Sequence, residues 1–303
     1  MDFKYKIAFL GNWGIGYKIL KVILKKKEIY NLKFVISQKY DQKKKDRWHG
    51  LLEKFTKNKK IKFYDQEKIK NDDLLQLLKR KKIDLLISCA YPYLLNKKII
   101  DFLNNNKGII NIHGSLLPKY RGVSPVIRAL LNFEKYIGIT LHYINEKMDA
   151  GDIIFQEKIK VKKNFDLNKL SEDLKEKASE VFNKFTNLLI NKEKIPRVIQ
   201  NNNKATYAPR ILTNELKINF NNYNKNILNF FKVFSNKKTY FVYKNRIFYI
   251  TKYISLNKKY KYPNYVLKRI GLNKIYISSK NNIFLIHFKN PSKIKININE
   301  ELL

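Results

Sequence analysis

Cysteine is almost missing from this 303-residue chain, with Cys89 its only copy. A lone thiol excludes an intrachain disulfide framework and a zinc knuckle, and it fits a reducing cytoplasm. Acidic side chains are scarce too, 25 against 63 Lys and Arg, and there are only four histidines. Long apolar runs are missing: Ile7–Leu10 and Leu85–Leu95 have core-strand length, short of the roughly 18–20 residues that span a bilayer. The N-terminus has lysines and a short apolar stretch without a cleavage-site pattern, so no signal peptide is expected. What is present is enough for a folded protein. Hydrophobic residues at 44% and aromatics at 14% exclude a disordered polyelectrolyte. The length allows a sizeable core and sits nearer two domains than one.

The formal charge of +38 has two readings. Clustered Lys and Arg neutralise nucleic-acid phosphates. Alternatively, biased composition coats every solvated face with lysine. Only eight of the basic residues are Arg, and asparagine runs such as Asn104–Asn106 and Asn201–Asn203 recur. Lys, Asn and Ile share A/T-rich codons, and Arg, the more specific phosphate ligand, is not enriched, which favours composition. The charge is uneven, however. Residues 207–303 hold 19 basic and three acidic residues, against 44 and 22 in residues 1–206. The C-terminal third therefore keeps the nucleic-acid reading open.

The first two-thirds alternates β-branched runs with helical periodicity. Strands are expected at Lys6–Leu10, Leu32–Ser37, Ile61–Phe63, Asp84–Cys89, Gly108–His113, Ile137–Tyr143 and Ile153–Val161. Helices are expected from the glycine turn to about Lys26, and at Arg47–Thr56, Asp72–Arg80, Lys97–Leu103, Pro125–Leu131 and Leu167–Ile190. Such βα alternation points to an α/β fold with a mostly parallel, Rossmann-like sheet over residues 1–190. Residues 191–206, with Pro196, read as a linker. Residues 207–303 then read as a smaller β-rich, barrel-like domain. It has one helix at Lys225–Phe234 and strands at Tyr240–Tyr243, Arg246–Tyr253, Tyr265–Ile270, Lys274–Ser278, Ile283–Phe288 and Lys293–Ile298.

Among the histidines, His113 stands out. It ends a buried strand and opens Asn111-Ile-His113-Gly-Ser115-Leu-Leu-Pro118-Lys-Tyr-Arg121-Gly122, and strand C-termini are where open α/β sheets bind ligands. Asn111 and His113 are two apart, so both face one side of a strand, where an amide and an imidazole can hold a carbonyl oxygen that gains charge. Asp149 follows in a Met148-Asp149-Ala150-Gly151 turn, and a carboxylate there would hold an imidazolium and accept a proton. Cys89 reads as core, since nothing nearby would form a thiolate.

Asn111-x-His113, then Ser-Leu-Leu-Pro-x-x-Arg-Gly, then Asp149 in an Asp-x-Gly turn, resembles the formyltransferase family that uses 10-formyltetrahydrofolate. The likeness extends over about residues 5–190, and Ala205-Thr-Tyr-Ala-Pro-Arg210 with the following domain, there OB-like, resembles the longer members. The resemblance implies transfer of a formyl group to a primary amine. Asn111 and His113 would stabilise the oxyanion, and Asp149 would set the state of His113. The folate co-substrate would lie along Ser88, Ala90, Tyr91, Tyr93 and Leu94, with Glu146 and Met148 of the Asn145–Asp149 turn closing its other side. The acceptor would meet Gly11, Asn12 and Gly14 at the first helix, and Ser115, Arg121 and Gly122. No metal is expected.

For the acceptor, Thr140-Leu-His142 resembles the Thr-x-His of the members that act on sugar nucleotides and ribonucleotides, Gly11–Gly16 resembles the sugar-modifying members, and Tyr91-Pro-Tyr93-Leu-Leu departs from the Ala-Tyr-Gly pattern usual in the methionyl-tRNA enzymes. Gln38–Gly50 is basic but lacks the glycine- and proline-containing loop pattern of the methionyl-tRNA enzymes, and Trp48 and His49 read as packing. An amino-sugar nucleotide is therefore the preferred acceptor, with initiator tRNA as the alternative that the basic C-terminal third supports. From other classes, an RNA-binding protein with a decayed catalytic domain remains open, as does a hydrolase using water as acceptor. Retention of Asn111, His113 and Asp149 together speaks against decay.

Overall fold

A computed structural model describes residues 5–41, 50–220, 224–235, 237–256, 258, 266–279, 282–290 and 296–297. The chain divides into two compact units. One comprises Met1–Ala129, Glu134–Lys163 and Asn168–Pro209, the other Leu130–Phe133, Asn164–Leu167 and Arg210–Leu303.

The first unit is built on seven strands: β1 (Tyr5–Gly11), β2 (Tyr30–Ser37), β3 (Phe63–Asp65), β4 (Leu85–Cys89), β5 (Ile109–His113), β6 (Tyr136–Tyr143) and β7 (Ile153–Lys160). They lie in the order β3-β2-β1-β4-β5-β6-β7. The strands from β3 to β5 are parallel, and β6 and β7 join antiparallel. Every residue of β4, Leu-Leu-Ile-Ser-Cys, is buried, so the run shows no alternation: a parallel strand covered on both faces has no polar side. On one face Ala8, Leu10, Phe34, Ile36 and Leu86 pack against Leu74, Leu77 and Leu78 of α3 (Asn71–Arg80) and Ile99, Ile100 and Leu103 of α4 (Lys97–Asn104). Edge strand β7 instead alternates half-buried with exposed residues.

The helices follow their own local chemistry. The Asn96 side chain caps α4 by accepting from the Ile99 N–H at 3.1 Å. A 24-residue helix at Leu167–Ile190 buries Leu170, Leu174, Ala178, Phe182 and Phe185, a stripe at helical spacing. Phe182 stacks on Tyr30, whose hydroxyl also meets Thr186 at 2.8 Å. The remaining helices of this region are Trp13–Lys25, Leu51–Asn58 and Pro125–Leu131.

The strand expected at Ile61–Phe63 is displaced along the chain. Strand β3 starts at Phe63, because the Ile61 N–H is taken by Thr56 O at the end of the preceding helix. That helix begins at Leu51 among the described residues, and the expected start at Arg47 lies outside them. Residues 191–206, expected as a linker, run along the first unit: Val198 pairs with Ile153, and Thr206 accepts the Arg121 N–H at 2.8 Å.

The second unit carries a helix at Asn224–Val233 and a five-stranded antiparallel sheet, the smaller β-rich part expected. Its strands are β8 (Tyr240–Tyr243), β9 (Arg246–Ser255), β10 (Val266–Ile270), β11 (Lys274–Ser279) and β12 (Asn282–Lys289), in the order β10-β11-β12-β9-β8. Lys244 and Asn245, with φ of 46° and 58°, form the two-residue turn between β8 and β9, and paired left-handed residues match strand twist there. Phe231, Phe241, Phe248, Phe284 and Phe288 fill its core, and β12 alternates buried with half-buried positions. The expected strand Lys293–Ile298 lies outside the described residues except for Ile296 and Asn297, which are not in a strand.

Candidate active site

The chain lays β2 and β3 to one side of β1 and then returns to place β4 on the other. Such a reversal opens a crevice beyond the C-terminal ends of the strands. Strand β5 delivers Asn111 and His113 to that edge from positions two apart. The antiparallel register of β6 sets His142 directly across from Asn111, and Thr140 across from His113. After β6 the chain turns through Asp149 in a left-handed conformation, φ 50°. At Gly151 a Cβ would sit 1.9 Å from Tyr143 O, so only glycine lets this turn close onto the strand end.

The polar atoms determine one another's protonation. His113 Nε2 lies 2.9 Å from Tyr120 O, and a carbonyl only accepts, so Nε2 carries the proton. Neutral His113 therefore turns a bare Nδ1 toward Asp149 Oδ2 at 3.5 Å. His142 likewise donates from Nδ1 to Tyr143 O at 2.7 Å, which leaves its Nε2 to accept the Asn111 amide N–H at 3.1 Å. The second hydrogen of that amide points to Asp149 Oδ1 at 3.3 Å. Asp149 Oδ2 also accepts the Gly122 N–H at 2.8 Å.

Burial pushes His113 below the ordinary 6.5, against the opposing pull of the Asp149 carboxylate and the Tyr120 carbonyl. Burial would also raise Asp149. The imidazoles of His113 and His142, which pull on the carboxylate when they are protonated, and the Gly122 N–H outweigh it and hold the carboxyl at about 2. At neutral pH the cluster is thus an ionised carboxylate facing an unprotonated ring nitrogen, two acceptors 3.5 Å apart.

The other residues singled out in the sequence fall into two groups. Tyr93, Leu94 and Met148 expose apolar surface, and Tyr93 meets Tyr91 edge-on at 5.5 Å. Tyr91 itself packs into the core beside α4, and burial, with Tyr93 adding to it, pushes its hydroxyl up to about 12. Ser88 is buried at the end of β4, and Ala90 has φ 56°. Glu146 pairs with Lys97 at 2.8 Å, joining the turn before Asp149 to the start of α4.

The second group is committed inward. Gly11 lets Phe9 and Cys89 O approach closely, and Gly14 is buried in the first helix. The Asn12 amide donates to Gln66 Oε1 and Ala90 O, and accepts from Ser37 Oγ and the Gln38 N–H, which exhausts its capacity. Ser115 Oγ bonds Lys119 O, and Arg121 is buried on Gln200 and Asn202. Of the anticipated acceptor-side residues, Gly122 is the one joined to the Asn111–His113–Asp149 cluster. Thr140 Oγ1 bonds Ser115 O, the Leu117 N–H and Gln156 Nε2, so its hydroxyl is used within the fold.

Three residues enter that reading of the sequence did not place in the site. His142 orients Asn111, Tyr120 supplies the carbonyl that sets the His113 tautomer, and Gln200 bonds the main chain on both sides of Ala150. His142 was visible only as half of a Thr-x-His pattern. Nothing local marks Tyr120 or Gln200, whose parts depend on chain-distant pairing.

The family model described as formyl transferase matches residues 5–186. A methionyl-tRNA formyltransferase of Syntrophomonas wolfei is 30% identical over 217 residues, 71% of this chain and 68% of that protein. That of Mycoplasma capricolum is 33% identical over 239 residues, 78% of this chain and 73% of the relative. Among solved structures, the sugar 3N-formyl transferase WlaRD, in the presence of dTDP and 5-N-formyl-THF, superposes with a TM-score of 0.66 at 25% identity. It covers 94% of this chain and 98% of its own. The matched residues hold Asn111, His113, Tyr120, Gly122, His142 and Asp149, and more than half the sequence with them, so this chain belongs to the formyl transferase family and is an enzyme that uses a formyl-folate.

Proposed function

We propose that the Asn111–His113–Asp149 cluster moves the formyl group of 10-formyltetrahydrofolate to a primary amine, and that the amine is the aminoacyl group of methionine-charged initiator tRNA. The observation that carries the reaction is the bare Nδ1 of His113, 3.5 Å from an ionised Asp149. Catalysis is assigned to the first unit, with residues 207–303 as a separate binding domain. The exposed apolar surface of Tyr93, Leu94 and Met148 fits a flat heteroaromatic ring, so Ser88, Ala90–Leu94 and Glu146–Met148 would hold the folate. The folate supplies the formyl carbon.

The chain's own groups then account for charge and proton. Asn111 turns its longer, 3.3 Å amide hydrogen bond from Asp149 to the carbonyl oxygen that gains charge as the amine adds. His113 takes the amine proton on Nδ1, and the imidazolium is held by Asp149 Oδ2. Once the new C–N bond is formed and the bond to the folate nitrogen breaks, His113 returns the proton to that nitrogen. Tyr120 O keeps the ring from rotating throughout.

The choice of acceptor rests on the second unit and on the relatives. On the outer face of its sheet, cross-strand pairing lines up Ile270, Lys274, His287 and Lys252, and beside them Lys268, Tyr276, Leu285 and Ile254. Neither row contains an acidic residue. Lysines interleaved with aromatic and aliphatic side chains suit a phosphate backbone with unstacked bases. Two relatives at 30% and 33% identity are methionyl-tRNA formyltransferases. The likeness to WlaRD, a sugar formyl transferase, favours a second reading, a nucleotide-linked amino sugar. With the Thr140 hydroxyl used internally, that position gives the second reading no support.

The test offers 10-formyltetrahydrofolate with charged initiator tRNA, the same tRNA uncharged, and 3- and 4-amino-sugar nucleotides. Charged tRNA is expected to react fastest, with affinity falling steeply as salt rises. A faster amino sugar overturns the acceptor, and formylation of none of them overturns the reaction.

A further inference from the structure

The Gln200 side chain is 5% exposed and uses every hydrogen-bonding position of its amide. Its Nε2 donates to Asp149 O at 2.9 Å and to Gly151 O at 2.7 Å. Its Oε1 accepts from Arg121 Nε at 3.2 Å and Nη2 at 2.8 Å. Arg121 is itself 4% exposed, and its side-chain partners Gln200 and Asn202 are neutral amides. Its guanidinium is therefore a donor that aligns Gln200 and not half of an ion pair. The next residue, Gly122, donates its N–H to Asp149 Oδ2 at 2.8 Å. A closed circuit results. Asp149 is gripped at its main-chain carbonyl by Gln200 and at its carboxylate by Gly122, and Arg121 connects the two grips.

That circuit acts on a strained element. Asp149 sits at φ 50°, a left-handed conformation that costs a non-glycine residue free energy and persists only where the surroundings impose it. One amide holding the carbonyls on both sides of Ala150 imposes it. We propose that Gln200 is a positioning residue for formyl transfer: by clamping the Asp149–Gly151 turn it aims the Asp149 carboxylate at His113 Nδ1. The inference rests on the reading that Asp149 works in the transfer step. It adds a residue beyond the 5–186 match, in the stretch that reads as a linker.

Two substitutions test it. Gln200→Met keeps length and volume but removes all four hydrogen bonds. Gln200→Glu still accepts from Arg121, gaining an ion pair that supports the fold, but it turns lone pairs toward Asp149 O and Gly151 O. Both should lower kcat about 10- to 100-fold, the order expected for misplacing a reacting group by about 1 Å. KM for 10-formyltetrahydrofolate should stay within about twofold. In an Asp149→Asn background either change should cost less than about twofold, because the carboxylate it aims is already gone. Crystal structures of the two variants should show the Asp149 side chain off the Gly122 N–H. Asn202→Ala, which removes one acceptor of Arg121 and leaves both of its bonds to Gln200 in place, should keep wild-type kcat.

Wild-type kcat in Gln200→Glu, or a full additional loss in the Asp149→Asn background, overturns the proposal. So does an Asp149 side chain still on Gly122 in either variant's crystal structure. Full activity of Asp149→Asn alone would instead overturn the reading of the site, so the two failures are distinct.

Discussion

Replacing Asp149 by asparagine keeps the shape of the side chain and removes its charge. The new Oδ1 can still accept the Gly122 N–H now bound at 2.8 Å, so the turn should hold. What changes is the space toward His113. At 3.5 Å and an effective dielectric of about 20, a carboxylate stabilises an imidazolium by at most about 5 kcal/mol, equivalent to an upper bound of about three and a half decades in rate. The asparagine Nδ2 adds a second effect: with the new oxygen on Gly122 it takes the place of Asp149 Oδ1, where it meets the Asn111 amide N–H donor-to-donor and displaces that amide. A fall in kcat of about 10²- to 10³-fold is expected by steady-state formyl transfer at saturating substrates. The pH titration of His113, followed by NMR, should move further below 6.5, because Asp149 is the main group opposing burial there. Stability should respond as well. Asp149 titrates at about 2 in the fold against an ordinary 3.8, so its contribution is complete above about 4 and is lost as pH falls toward 2. That shift corresponds to roughly 2 kcal/mol, and the unfolding curves of the two proteins should converge at about pH 2. A kcat within about threefold of wild type, or a His113 titration that moves upward, refutes the reasoning.

The remaining expectations are separable from that one. Because His113 is buried neutral, kcat/KM should be flat near pH 7 and fall only as pH drops through a value below 6.5, and an acid limb above 6.5 contradicts the tautomer argument. The unfolded chain takes up that proton more readily, so stability should also decline as pH falls below 6.5. Asn12→Leu strands Ser37 Oγ, the Gln38 N–H, Ala90 O and the Gln66 amide, and should lower unfolding free energy by several times the roughly 1 kcal/mol of one hydrogen bond. A loss under about 1 kcal/mol in urea titration would return Asn12 to the role of a ligand contact. Lys252→Glu with Lys274→Glu should weaken charged-tRNA binding and flatten its salt dependence, while leaving an amino-sugar nucleotide's KM unchanged. An unaltered salt slope removes this face from acceptor binding.

Much of the fold was legible because its signals are local. The apolar run Leu85–Cys89 has the length of an inner strand and is too short for an ordinary helix, and the stripe from Leu170 to Phe185 has the spacing of one helix face. The misplaced start of β3 shows the limit. Ile61, Lys62 and Phe63 suit a strand as well as Phe63, Tyr64 and Asp65 do, and a helix-end hydrogen bond from Ile61 to Thr56 decides between them. The segment 191–206 has the composition of a linker for a related reason. Asn202 and Gln200 look like solvated polar residues until a buried arginine and the turn carbonyls of Asp149 and Gly151 need partners.

The candidate site divides in the same way. Asn111 and His113 were legible because a strand of period two puts them side by side, and Asp149 because a glycine turn follows it. The glycine-rich start of the first helix invited a ligand reading that its hydrogen bonds do not support. Asn12 has every amide position filled by protein, so the opening Gly-Asn-Trp-Gly joins strand ends before it can cradle anything. Conversely, His142 and Gln200 lay outside any motif read as catalytic. Each acts on a motif residue through one hydrogen-bonding surface, His142 on the Asn111 amide and Gln200 on the Asp149 main chain. A motif of this kind names the groups that would touch the reacting atoms. The groups that aim them are chosen by register and by which buried polar atoms would otherwise be unpaired, so Gln200 lies outside the motif it serves. Asp149→Asn must therefore lose activity before the loss in Gln200→Glu can be read as a loss of aim.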